Sequence, residues 1–170
     1  MLSLDLQSWL SLVSTLAILV ALVFAGVQVR EANKSRKDQA AVALIQSTQD
    51  DSFTRAMRNV GRLPANVSAE QVDASGDWAE EALVDFGFRL ESIGYMVFLR
   101  LVSLEMADSL IGGLTLMYWS RVEAWLKRER ERSGNPNLYE WCEWLAGQVR
   151  QRRAAGRHQP GHVEHRDWRE

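Results

Sequence analysis

Cysteine, histidine, proline and lysine are all scarce in this chain of 170 residues, and each scarcity excludes something. One cysteine, Cys142, rules out an internal disulfide framework and fits a reducing compartment. The only histidines are His158, His162 and His165, all close to the carboxy terminus. The body therefore lacks the Glu-x-x-His pairs of a di-iron bundle and any histidine general base or triad. Pro160-Gly161 interrupts the i, i+4, i+7 spacing of the tail histidines, so no metal site is expected there. Cys142 has no histidine partner and reads as a half-buried small hydrophobe. Gly112-Gly113 lacks the strand and the following lysine of a phosphate loop and reads as a helix stop. No cofactor is expected.

Strand-like alternation of useful length is also missing, and three prolines leave room for long helices. The expected fold class is all-α. The net charge is −2, and the stretch Glu70 to Glu105 holds eight acids against two arginines, a surface that repels phosphates, so nucleic acid is not an expected partner. The run KRERER from Lys127 to Arg132 alternates sign like a solvated helix face. Seventeen arginines against three lysines suggest a GC-rich bacterial genome, an inference about codons rather than physics.

Charge is entirely absent from Leu10 to Val29, LSLVSTLAILVALVFAGVQV. A helix of that length covers roughly the 30 Å hydrocarbon core of a bilayer. A secretory signal peptide would need a basic amino-terminal region and a shorter apolar core. Neither is present, so an uncleaved anchor is the expectation. The leader carries Asp5 and no cation, whereas Arg30, Lys34, Arg36 and Lys37 follow the run directly. That asymmetry places the amino terminus outside and the remainder in the cytoplasm of a bacterial inner membrane, with Trp9 as an interfacial anchor. Ser14, Ala17, Ala21 and Ala25 line one side of the helix. Their spacing would let a second copy approach closely, making a homo-oligomer a candidate assembly.

The expected organisation is a leader 1–9, a membrane-spanning helix 10–29, a helical stalk 30–60, a helical domain 61–153 and a flexible polar tail 154–170. The apolar positions available to a core begin near Ala40. Asp50-Asp51-Ser52 reads as a fresh helix start. Ala65 to Gly76 reads as a loop. Asp77 and Glu80 form an expected capping box for a helix whose Phe86, Leu90, Ile93 and Val97 make an apolar seam. Ser103 is expected to cap a short helix through Leu110, closed by Gly112-Gly113. Leu114 to Arg130 and Leu138 to about Arg153 are the last two helices, with Leu116, Trp119, Val122, Trp125 and Leu126 inward on one and Leu138, Trp141, Leu145 and Val149 on the other.

The amino-terminal anchor, together with Tyr118-Trp119, Asn135-Pro136, Leu138-Tyr139 and Glu143-Trp144-Leu145, resembles a bacterial family catalogued as a domain of unknown function. Phe86, Glu91 and Gly94 fit the same pattern, whereas the Leu101-Val102-Ser103 step departs from it. The resemblance implies a short single-pass membrane protein with an all-helical cytosolic part, and it brings no activity.

Among the carboxylates Asp85, Glu91, Glu105 and Asp108, Glu91 stands in the most apolar surroundings and requires a cation, with Arg89, Arg100 or Arg121 as candidates and Glu91–Arg121 as the expected buried ion pair. Two functions of different class follow. One is a non-catalytic, membrane-anchored module that binds a protein partner and predicts an exposed aromatic surface. The other is a membrane-tethered enzyme using carboxylates around Glu91 and Asp108, and it predicts that those acids converge.

Overall fold

The structure, a computed structural model, describes residues 6–169, so Asp5 of the leader lies outside the described residues. Every regular element among them is helical. The chain divides into two units, Met1–Gln39 and Ala40–Glu170.

In the first unit the chain forms helix α1, which spans Leu6–Ser47 and so continues into the second unit. No Gly or Pro interrupts it after Gly26. From Trp9 onward it is long and apolar enough to cross a membrane, with a mean hydropathy of 2.5 in its most apolar window and none of that window buried.

The second unit is a helical bundle. It takes in Ala40 and Leu44 at the end of α1, then α2 (Asp51–Arg62), α3 (Ala69–Ser75), α4 (Asp77–Phe98), α5 (Leu104–Ala107), α6 (Gly113–Ser133), α7 (Glu140–Ala154) and the short α8 (Gly161–Glu164). The expected stalk therefore ends earlier than Val60. Leu44, Phe53, Ala56 and Val60 are buried in the core, because α2 is amphipathic and closes one side of the bundle. Asp50 caps α2 by accepting from the Phe53 N–H at 2.6 Å. That bond, helped by Arg89, holds its carboxyl down at about 2.

Core residues Phe86, Leu90, Ile93 and Val97 of α4 face inward as one seam, joined by Trp119, Val122, Trp125 and Leu126 of α6 and by Leu145 and Val149 of α7. Leu116, Leu138 and Trp141 are only partly buried. Phe86 links two neighbours, with ring centroids 5.1 Å from Phe53 and 5.3 Å from Tyr118.

Three local expectations are corrected. The segment Ala65 to Gly76 is not all loop: Ser68 and Gln71 form a reciprocal capping box that starts α3. The cap position of α4 is Gly76, at φ 88, and Asp77 is the first helical residue with no side-chain cap bond. Gly76 can take that backbone at no steric cost, which lets α4 follow α3 directly. Gly112-Gly113 does not stop a helix either. Ser103 caps α5 as expected, but the chain then passes through a π-helical turn, Asp108–Gly112, straight into α6. The wider turn aims the Asp108 side chain across Gly112, where any Cβ would collide with it.

Candidate functional site

Three places in the second unit hold side chains beyond what packing requires. The first is an aromatic surface where α4 ends against the start of α7. Tyr95, Phe98 and Leu99 are 47%, 50% and 46% exposed. Phe98 lies 4.4 Å from Trp141 and 6.0 Å edge-on from Trp144, and Tyr95 lies 5.4 Å from Trp141, centroid to centroid. These rings contact one another on the outside of the bundle, at distances where aromatic pairs attract. Further along α4, Phe88 is exposed and meets Tyr139 edge-on. It also borders an open groove of about 510 Å³ lined by Ala43, Ser52, Arg89 and Met96.

The second place is Glu91, and the expected ion pair with Arg121 is absent. Arg121 is spent elsewhere: its Nε donates to the Leu63 carbonyl at 2.7 Å and its Nη1 to the Met117 carbonyl at 2.9 Å, stitching α6 to the end of α2. Glu91 Oε2 instead accepts the backbone N–H of Cys142 at 2.8 Å. A carboxylate there satisfies an orphan donor in the first turn of α7 and complements its helix dipole. Burial pushes the Glu91 carboxyl above its ordinary range, partly offset by this bond. The Cys142 thiol is buried and pushed well up by desolvation, so it is unreactive packing.

The third place is Asp108, whose side chain is 0% exposed. Arg153 Nε donates to its Oδ1 at 2.9 Å. Arg152 Nε stands 3.4 Å and His158 Nδ1 3.3 Å from Oδ2. Arg152 also reaches Glu105 at 3.6 Å. The imidazole of His158 in the tail thus lies beside Oδ2 without hydrogen-bonding it, while His162 and His165 take no part. No group of histidines, cysteines and carboxylates among the described residues could hold a metal ion.

Glu91 and Asp108 do not converge. Glu91 meets α7 at Cys142 and Asp108 meets it at Arg152 and Arg153, ten residues further on, roughly 15 Å along the helix. Each acid serves one end of α7.

The residues that carried the family resemblance gather at the same joint. Gly94 lets α4 approach the Trp141 carbonyl so closely that a Cβ would collide with it, and Gly87 does the same for the Tyr118 hydroxyl. That hydroxyl donates to the Leu83 carbonyl at 2.7 Å. Asn135 Oδ1 accepts from the Asn137 N–H at 3.1 Å, folding the turn before α7. Tyr139 then enters α7 through left-handed backbone at φ 55. A family model described as a domain of unknown function, DUF4760, matches residues 15–149. The chain belongs to this family. Comparison with curated proteins and with solved structures finds no match. The DUF4760 match begins inside the apolar part of α1 and ends in α7, so most of the apolar run and the α4–α7 joint fall within it.

The remaining expected residues are all on α1. Trp9, Arg30, Lys34, Arg36 and Lys37 are exposed, as are Ser14, Ala17, Ala21 and Ala25. An exposed aromatic surface is expected from the sequence, but Tyr95 and Phe98 are not singled out there, since they sit beside the Phe86–Val97 seam. Their offset from the seam was the available signal.

Proposed function

We propose that this DUF4760 chain is a single-pass membrane protein, with its amino terminus outside and its helical domain in the cytoplasm of a bacterial cell, that acts as a non-catalytic protein-interaction module. The observation that carries the reading is the exposed ring cluster of Tyr95 and Phe98 against Trp141 and Trp144. A contiguous aromatic surface of this kind is where partner binding concentrates its energy. The anchor is supported by the apolar, unpacked stretch of α1, and the orientation by Arg30, Lys34, Arg36 and Lys37 on one flank only.

The test is a photo-crosslinking residue at position 98, with another at the exposed Glu123 on α6, in intact membranes. Capture of one defined protein from position 98, absent from position 123 and lost in Trp144→Ala, is the expected result. Equal yields from both positions would overturn the docking surface. Self-crosslinks abolished when Ala17, Ala21 and Ala25 become leucine would instead make the partner a second copy. Orientation is read with Ala155→Cys and a membrane-impermeant thiol reagent. Cys142 is buried and gives no background, so labelling only after the membrane is opened is expected.

The enzymatic alternative now rests on Asp108 with His158, since Glu91 is engaged elsewhere. A carboxylate held by two guanidiniums is a structural cluster before it is an acid or base.

A further inference from the structure

Helix α2 carries a second surface, remote in character from the aromatic one. Its buried residues Phe53, Ala56 and Val60 fix which side faces the core. On the opposite side stand Arg55, Arg58 and Arg62, within an arc of about 60° at 3.6 residues per turn. All three are exposed, and none has an ion pair or side-chain hydrogen bond among the described residues. Six other arginines of this unit are paired: Arg89, Arg128, Arg130, Arg132, Arg152 and Arg153 each hold a carboxylate.

The three free guanidiniums border a depression of about 300 Å³, completed by Thr54, Asn59 and Asp51. Apart from Asp51 its lining is made of hydrogen-bond donors. Each guanidinium offers a planar fork that matches the paired oxygens of a phosphate. Three cations against one acid leave a local excess of positive charge in a chain whose net charge is −2.

We propose that this face of α2 binds a multiply charged phosphate group, held by Arg55, Arg58 and Arg62 with Asn59 as a neutral donor. The chemistry fits either a soluble oligophosphate or the headgroups of anionic phospholipid. It is independent of the aromatic surface, and neither reading depends on the other.

The experiment uses the full chain in phosphatidylcholine nanodiscs, titrated with inorganic tripolyphosphate while hydrogen exchange across Thr54 to Arg62 is followed. A parallel sample in phosphatidylglycerol discs receives no tripolyphosphate. Protection by tripolyphosphate in neutral discs identifies a soluble phosphate, and protection in anionic discs alone identifies lipid headgroups. In whichever arm binds, the triple variant R55Q/R58Q/R62Q is expected to lose at least about tenfold in affinity, and the single variant Arg58→Gln a smaller part of it. The tail variant R157Q/R166Q/R169Q removes the same charge and is expected to bind as the native chain does. Thermal unfolding of each variant confirms that it is folded. Absence of protection in both arms, or an equal loss in the tail variant, overturns the site.

Discussion

At the scale of single residues, Glu91 and Asp50 are both carboxylates at helix starts, yet their environments push them opposite ways. Asp50, at the surface with Arg89 and the Phe53 N–H, is held below its ordinary value of 3.8. Its contribution to stability is therefore present above that value and is lost as the pH falls toward about 2. Glu91 is raised above its ordinary 4.5 by burial. Its contribution is fully present below 4.5 and is lost as the pH rises through the folded value. Glu91→Gln keeps an acceptor for the Cys142 N–H and abolishes the titration. Urea unfolding should find it at least as stable as the native domain at pH 7, with the advantage disappearing below about pH 4.5. Glu91→Ala leaves the donor unpaired and should cost about 1 kcal/mol at either pH. The sequence marked Glu91 as a buried acid needing a partner, but it offered only side-chain cations as candidates. A backbone donor brought from 51 residues away has no signature of its own.

At the scale of elements, the joint between α4 and α7 depends on the absence of a side chain. Gly94→Ala would press a methyl group into the Trp141 carbonyl, and backbone cannot swing aside as a side chain can. A loss of about 3 kcal/mol is expected, measurable as a lowered melting temperature, and Gly113→Ala, with open space at its Cβ, serves as the control. Asp108 fixes the other end of α7. Asp108→Asn leaves Arg152 and Arg153 without their counter-charge and should cost about 3 kcal/mol. Hydrogen exchange should rise at the end of α7, where Arg153 donates to this carboxylate. Helix identity was legible here because long apolar seams such as Phe86 to Val97 announce themselves. The π-helical turn was not, since a pair of glycines is a helix stop in most settings and Asp108 is distant in sequence from the arginines that justify it.

At the scale of the whole molecule, the boundary between the two units falls within a single continuous helix. Composition marks where the apolar run ends, near Val29, but not where packing begins, because Ala40 and Leu44 belong to the bundle while the residues just before them are exposed. The unit Ala40–Glu170 contains the whole core cluster, from Leu44 to Val149. A fragment beginning at Ala40 should therefore remain in solution without detergent and unfold in one cooperative transition by circular dichroism. One beginning at Gly61 should not, because it lacks Leu44, Phe53, Ala56 and Val60. The candidate surfaces were legible to a lesser degree. The arginines of α2 and the rings of α4 are visible as residues, but only the fold shows which of them are left without a neighbour.

The turn between α5 and α6 carries one residue more than an ordinary helix would need over the same length. Leu110, 48% exposed, lies in the middle of it. Losing one residue there would restore regular winding without rotating the core face of α6 against that of α5. A single deletion between Gly113 and Tyr118 would instead turn Trp119, Val122 and Leu126 by about 100° relative to α5 and out of the core. The helix thus stores a spare residue, and the bundle can shed it at the cost of Asp108's grip on the end of α7 rather than of its own packing.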